Sequence, residues 1–127
     1  MKGAFLLDTD ILVDFLRGYN RAVDFVTVNF ERIILSAIVV AELYAGVKGE
    51  KEQAILEAFV SIFPVIPVDS EIAKAGGLYR RDYGKSHGVG LADAILAATA
   101  EVRQAELKTF NIKHYPMIKG IRPAYRK

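Results

Sequence analysis

The sequence predicts one α/β domain in which a mainly parallel sheet of short strands lies between two layers of helices. Short apolar runs alternate along the chain with segments whose apolar residues recur every three or four positions. The length of 127 residues leaves room for one core, so a single domain over 1–127 is expected. Hydrophobic residues make up 52% of the chain, which is typical of a compact folded protein.

The N-terminal half predicts two strands and four helices. In order they are a strand at 4–7, a helix at 11–17, a helix at 20–30, a strand at 32–35, a helix at 37–47 and a helix at 50–62. Capping residues set their ends: Asn20 and Ser36 are expected N-caps, and Gly18 and Gly49 are expected to break helices. The last of these helices is expected to bury one face, made of Ala54, Ile55, Ala58, Phe59 and Ile62.

The C-terminal half predicts two helices and up to three short strands. In order they are an edge strand at 65–68, a helix from Asp69 to about Tyr83, a flexible loop at 84–90, a helix at 91–104, a strand at 106–110 and an edge strand at 120–125. The helix at 91–104 has the strongest periodicity, with Leu91, Ala94, Ile95, Ala98 and Val102 on one face.

Composition and charge restrict the functional classes. The chain has no cysteine, so disulfides and thiolate metal sites are excluded. It shows no signal-peptide pattern and no apolar run near the roughly 18 residues of a membrane span, so a cytoplasmic protein without a membrane partner is expected. The net charge is only +2, yet the end of the chain is basic after Glu106. That end can attract nucleic-acid phosphate or serve as a solvated surface, and the sequence leaves both open. Its basic residues are Lys108, Lys113, Lys119, Arg122, Arg126 and Lys127.

Three acids stand where an apolar context makes a carboxylate costly. Asp8 follows the first strand, Glu42 falls near Ile38 and Val39 on or beside the buried face of its helix, and Asp93 lies in the first turn of an apolar helix. Helix capping and the helix dipole are the simplest explanations for Asp8 and Asp93. An Asp-x-Asp after an apolar strand also resembles the phosphoaspartyl motif of haloacid dehalogenase-like phosphatases. A metal site is the third alternative.

In a parallel α/β sheet these acids are expected to meet, because sites form outside the carboxyl ends of the strands. Three carboxylates at one place repel one another unless a divalent cation neutralises them. Oxygen-only ligands favour Mg²⁺ or Mn²⁺. Such a site can activate a water for in-line attack on a phosphodiester, which makes a nuclease a plausible function.

Four segments carry a resemblance to a known family: "LLDTDILVDFLRG" with Asp8, "LSAIVVAELYAG" with Glu42, "GLADAILAATA" with Asp93, and "LKTFNIKHY" with Thr109 and Asn111. In this order and spacing they resemble the PIN domain, and more closely the VapC-type toxins of toxin–antitoxin pairs. The resemblance covers almost the whole chain.

The resemblance implies a PIN-like three-layer α/β/α fold and a Mg²⁺- or Mn²⁺-dependent endoribonuclease. Asp8, Glu42 and Asp93 would be the catalytic, metal-binding carboxylates, and Thr9 would position a water or a ligand through its hydroxyl. It also implies an RNA substrate, a cognate VapB-type antitoxin that lays a helix into an apolar groove and sends an Arg toward the acids, and a homodimer.

The chain departs from the family pattern at one position. Many members carry a fourth acid in a Thr-x-Asn-x-x-Asp-Phe segment, and here His114 stands in its place. Asn111 can hold a water or a carboxylate by hydrogen bonding, and protonated His114 can contact a phosphate or be an ordinary loop residue. The number of metal ions is therefore open. Asp10 and Asp14 are expected in helical roles, with Asp14 facing out or pairing with Arg17.

Two other functions are weighed against this one. A phosphatase of the haloacid dehalogenase type would need a late acidic pair, which the chain lacks. A PIN-like module that binds RNA or an antitoxin but cuts poorly remains an alternative.

Overall fold

The computed structural model describes residues 3–126, and within them four strands form one parallel sheet in the order β3-β2-β1-β4. The strands are β1 (Phe5–Leu7), β2 (Ile33–Ser36), β3 (Val65–Ile66) and β4 (Glu106–Lys108). Central β1 pairs with β2 and β4, so that Phe5 lies opposite both Ile33 and Glu106. The parallel α/β class predicted from the sequence is confirmed.

Six helices flank this sheet in the described part of the chain. They are α1 (Thr9–Leu16), α2 (Asn20–Val28), α3 (Ala37–Ala45), α4 (Gly49–Val60), α5 (Ser70–His87) and α6 (Leu91–Arg103). The three residues of β1 and all four of β2 are buried, as strands covered on both faces require. Short 3₁₀ turns at Phe30–Arg32 and Ile112–His114 complete the elements.

Several helix ends agree with the capping residues of the sequence. Ser36 Oγ accepts from the Ile38 N–H at 3.2 Å, and Asp69 Oδ1 accepts from the Ile72 N–H at 2.9 Å. Two expectations are wrong. Asn20 is the first residue of α2, not its cap, and Gly49 with φ +83° opens α4 after α3 has already ended at Ala45.

The buried face of α4 differs from the predicted one. Leu56 and Phe59 are buried, whereas Ile55 and Ile62 are each 54% exposed. Aromatic contacts explain why α4 buries this face and not the predicted one. The ring centroid of Phe59 lies 5.0 Å from that of Phe15 and 5.1 Å from that of Phe63. Ala54 and Ala58 are likewise exposed, so only Phe59 of the predicted face is buried.

Gly76 and Gly77 lie inside α5 without ending it, and the helix continues through the segment 84–87 that was expected to be a loop. It ends at Gly88 in the left-handed conformation, with φ +64°. A Cβ on Gly76 would lie 2.9 Å from Ile95 Cγ1, so glycine at this position lets α5 and α6 pack closely.

Two features near the chain end also differ from expectation. Leu91, predicted on the buried face of α6, is 56% exposed at the start of the helix. The segment 120–125 forms no strand and contributes an isolated parallel bridge between Thr109 and Pro123, together with a hydrogen bond from the Ala124 N–H to Thr109 O at 3.2 Å. Proline has no N–H to extend a ladder.

Among residues 3–126, no helix combines the length and apolar character needed to cross a membrane. Of the basic residues near the chain end, Lys127 lies outside the described residues. Lys108 forms an ion pair with Glu106 at 3.0 Å.

Candidate active site

Asp8 lies at the carboxyl end of the central strand. Its main-chain N–H donates to Lys108 O at 2.9 Å and so extends the pairing of β1 with β4 by one residue. The side chain caps α1, since Oδ1 accepts from the Thr9 N–H at 2.7 Å. The residue is only 5% exposed. The capping role expected from the sequence is therefore present, at a position that also faces a cavity.

The second oxygen of Asp8 is held by hydroxyl groups from the distant chain end. Asp8 Oδ2 accepts from Thr109 Oγ1 at 2.9 Å and from Tyr115 Oη at 2.7 Å. Both donors are fully buried. Without these bonds a buried carboxylate would be costly, so the C-terminal segment fixes Asp8 in its orientation.

Glu42 projects from α3 at the mouth of the same site. Its carboxylate accepts a hydrogen bond from Thr9 Oγ1 at 2.9 Å, which joins α3 to the first residue of α1. The residue is exposed, so of the two positions that the sequence suggested, on or beside the buried face, it does not occupy the first. Partial burial of the carboxylate, followed by the charges of Asp8 and Asp93, raises the pKa of Glu42 despite the Thr9 bond.

Asp93 enters from the first turn of α6. Its Oδ2 lies 3.1 Å from His114 Nδ1 and its Oδ1 lies 3.2 Å from Tyr115 Oη. Burial raises the pKa of Asp93, with the charge of Asp8 the next cause in the same direction. His114, at half exposure, thus stands beside a carboxylate.

An open cavity of about 390 Å³ unites most of the predicted site residues. Its lining comprises Asp8, Thr9, Asp10, Val13, Asp14, Glu42, Asp93, Asn111 and His114. Thr109 lies behind this lining; its Oγ1 accepts from the Asn111 N–H at 3.0 Å while its own proton is directed to Asp8. All seven residues singled out in the sequence are therefore in the cavity wall or in contact with it.

Asp10 lines the cavity in addition to its position in the first turn of α1. Its Oδ1 accepts from the Ile11 N–H at 2.8 Å and its Oδ2 accepts from the Phe110 N–H at 2.8 Å, so it ties the helix to the C-terminal segment. Burial raises the pKa of Asp10, and the Phe110 hydrogen bond opposes the shift. Asp14, one turn further, accepts from Tyr125 Oη at 3.4 Å.

The donor set suits a hard divalent cation. Asp8, Glu42 and Asp93 supply only oxygen atoms, the ligands that Mg²⁺ and Mn²⁺ prefer. Burial first, and then repulsion from the neighbouring carboxylates, raises the pKa values of Glu42 and Asp93, and a cation would relieve the repulsion. Within residues 3–126, however, no group of three or more His, Cys, Asp or Glu side chains is arranged to hold an ion as it stands.

Tyr115 is the residue of this site that sequence reasoning missed. It was contained in the segment "LKTFNIKHY" but was given no role. A buried tyrosine usually finds a partner for its hydroxyl, and that rule was the available signal. The partners, Asp8 and Asp93, are remote in sequence and follow only from the fold.

Comparison with known proteins places this geometry in a family context. The PIN domain family model matches residues 5–116. Ribonuclease VapC19 of Mycobacterium tuberculosis is 43% identical over 124 residues, covering 94% of this chain and 98% of that protein. Ribonuclease VapC10 of the same organism is 32% identical over 123 residues, covering 94% of this chain and 92% of that protein.

Solved structures agree with the sequence comparison. A chain of a toxin–antitoxin complex from Klebsiella pneumoniae superimposes with a TM-score of 0.83 at 27% identity, covering 98% of this chain and all of that chain. A chain of DNA-bound VapBC from Salmonella typhimurium superimposes with a TM-score of 0.79 at 27% identity, covering 97% of each chain.

Proposed function

This chain belongs to the PIN domain family, and on that basis we propose that it is a divalent-metal-dependent endoribonuclease, the toxin of a type II toxin–antitoxin pair of VapBC type. It hydrolyses RNA phosphodiester bonds. The observation that carries the proposal is the convergence of Asp8, Glu42 and Asp93 on one cavity in a chain that is 43% identical to a named ribonuclease.

Asp8, Glu42 and Asp93 are proposed as the catalytic carboxylates that hold the cation, which is Mg²⁺ or Mn²⁺. A bound cation neutralises the carboxylates, lowers the pKa of a water and stabilises the charge that develops on the phosphate. Asp8 follows β1 directly as the N-cap of α1, while Glu42 and Asp93 belong to α3 and α6, so regular elements of the fold set the positions of the three acids.

Four other residues are proposed to support these carboxylates. Thr9 fixes Glu42 through the 2.9 Å hydrogen bond, and Thr109 fixes Asp8 through another of 2.9 Å. Asn111 and His114 are exposed on the cavity wall, where they can contact the phosphates of RNA. His114 faces Asp93 and takes the place in the sequence of the family's fourth acid.

The proposed protein partners are a VapB-type antitoxin and a second copy of the chain. The former is supported by the two toxin–antitoxin complexes at 27% identity and by an apolar groove of about 500 Å³ next to the site. Leu16, Leu43, Ile55 and Leu56 line this groove, and Glu42 lies on its border with the acidic cavity. A helix in the groove could direct a basic side chain to the acids. We also propose a cytoplasmic location, because the proposed substrate is RNA.

Cleavage of RNA by the antitoxin-free chain tests the catalytic proposal. We expect cuts in tRNA and structured RNA with Mn²⁺ or Mg²⁺, none in EDTA, and a rate about a thousandfold lower in Asp8→Asn, since loss of cation stabilisation is worth several kcal/mol. Cleavage is followed by gel electrophoresis of end-labelled RNA, with circular dichroism showing that each variant is folded.

Asp24→Asn is the matched control, because Asp24 is an exposed aspartate of α2 outside the cavity. It is expected to cut like the parent. Folded parent protein that binds RNA but cuts none of these substrates with either cation would favour the alternative of a binding module.

A further inference from the structure

Tyr115 lies beneath the floor of the acidic cavity. It follows the 3₁₀ turn Ile112–His114, where its N–H donates to Ile112 O at 3.1 Å, and it has no exposed surface. The ring belongs to the hydrophobic core while the hydroxyl reaches two of the three proposed metal ligands. One side chain therefore touches both Asp8 and Asp93 from inside the protein.

The hydroxyl proton is directed to Asp8. A phenol has one proton to donate, and Tyr115 Oη lies 2.7 Å from Asp8 Oδ2 but 3.2 Å from Asp93 Oδ1. Burial, followed by the charge and hydrogen bond of Asp8, raises the pKa of Tyr115 far above its usual value. In this bond Tyr115 is the donor and Asp8 Oδ2 is the acceptor.

The hydrogen bonds of Asp8 restrict how it can bind a cation. Its Oδ2 accepts from both Tyr115 and Thr109, and a carboxylate oxygen has two lone pairs. Its Oδ1 accepts a single bond, from the Thr9 N–H. One lone pair, on Oδ1, remains for a cation.

We propose that Tyr115 is a positioning residue that fixes the orientation of Asp8 and restricts Asp8 to binding a cation through Oδ1 alone. This inference rests on the proposed function, since it assumes that these carboxylates hold the ion. It goes further in naming a residue and a mode of ligation. A one-oxygen ligand favours small octahedral ions over Ca²⁺, which also accepts bidentate carboxylates.

Titration of the metal-free protein with Mn²⁺ and with Ca²⁺ by calorimetry tests the proposal, using Tyr115→Phe. This variant keeps the buried ring and removes only the hydroxyl. We expect the Kd for Mn²⁺ to rise about tenfold or more, as for other residues that orient ligands. The Kd for Ca²⁺ is expected to rise less, because Asp8 Oδ2 regains a lone pair for bidentate binding.

Tyr79→Phe is the matched control. Tyr79 also donates its hydroxyl to a carboxylate, that of Glu101, but this pair lies near the other end of α6 from Asp93. We expect both Kd values to stay at the parent level. Thermal unfolding in EDTA measures any purely structural cost of either change.

The outcomes separate the inference from the function on which it rests. A Tyr115→Phe protein that is less stable but binds Mn²⁺ like the parent would overturn the positioning role. Equal weakening for Mn²⁺ and Ca²⁺ would support positioning but overturn the single-oxygen ligation. Failure of the parent itself to bind Mn²⁺ would instead contradict the proposed function.

Discussion

Glu42 carries a charge that destabilises the metal-free fold. Partial burial and the neighbouring Asp8 and Asp93 raise its pKa above the ordinary value of 4.5. The folded state therefore holds the Glu42 proton more tightly than the unfolded state does. This tighter binding of the proton adds to the free energy of unfolding at pH values below 4.5. The contribution is lost as the pH rises through the pKa that Glu42 has in the folded state.

Glu42→Gln is accordingly expected to stabilise the metal-free protein at pH 7 and to have little effect at pH 4. The glutamine retains an oxygen that can accept the hydrogen bond from Thr9. Urea unfolding in EDTA at the two pH values measures the difference in the free energy of unfolding between variant and parent. Glu57→Gln, at an exposed position of α4, is the control. A variant less stable than the parent at pH 7 would contradict this account of the site.

The same residues show how far a site can be predicted from sequence. Asp8, Glu42 and Asp93 were predictable because each carboxylate stands in an apolar context and because strand ends meet at one edge. The hydrogen bonds from Tyr115 to Asp8 and from the Phe110 N–H to Asp10 were not predictable, since each joins residues about a hundred positions apart. Side-chain partners at such separations depend on the register of β1 against β4, which the sequence does not reveal.

The pair of helices α5 and α6 depends on a glycine that sequence propensity treats as a weakness. A Cβ at Gly76 would stand 3.0 Å from Ile95 Cα, while one at Gly77 would meet no atom within 4 Å. We expect Gly76→Ala to cost roughly 1–3 kcal/mol, because α6 must shift to accept the methyl group. Gly77→Ala is expected to raise stability by about 0.5–1 kcal/mol through helix propensity alone.

Urea denaturation of the two variants in parallel provides the measurement. Because α6 carries Asp93 in its first turn, Gly76→Ala is also expected to weaken Mn²⁺ binding, whereas Gly77→Ala is not. Equal effects of the two alanines on stability would show that the close approach of the helices has no energetic importance.

The N-caps Ser36 and Asp69 were predicted correctly, whereas the buried face of α4 was not. Ser36 and Asp69 cap helices through bonds that depend on neighbouring residues, so local sequence is enough to find them. The buried face of α4 depends on ring contacts of Phe59 with Phe15 and Phe63, one of them in a distant helix. Periodicity alone could not choose between Ile55 and the buried Leu56.

The sheet as a whole brings the acids together. With β1 at its centre and parallel neighbours on both sides, the carboxyl ends of β1 and β2 open to the same edge, where α1 and α3 begin. The parallel class was predictable from alternating strands and helices, whereas the order β3-β2-β1-β4 was not, because short apolar strands carry no pairing code. The sequence also did not predict that the segment 120–125 would form an isolated bridge between Thr109 and Pro123 and not a fifth strand, because that contact depends on tertiary packing.

The proposed cation site, formed by the residue that follows β1 and by residues of α3 and α6, would couple cation binding to the stability of the entire fold. Unfolding separates Asp8, Glu42 and Asp93, which lie far apart in sequence, so the cation binds the folded chain in strong preference to the unfolded one. At a free concentration of 100 times its Kd, Mn²⁺ should raise the free energy of unfolding by about 2.7 kcal/mol. The increment should shrink as the pH falls, because protons compete for carboxylates whose pKa values are raised.

Urea unfolding with Mn²⁺ and with EDTA, at pH 7 and at pH 5, measures this increment directly. Glu42→Gln should lose most of it, so that the variant is more stable than the parent in EDTA and gains little from the cation. That reversal follows from the partial burial of Glu42 and its repulsion by Asp8 and Asp93, which a bound cation would offset. Equal stabilisation of parent and Glu42→Gln by Mn²⁺ would mean that the ion binds elsewhere on the molecule and that the acidic cavity is not its site.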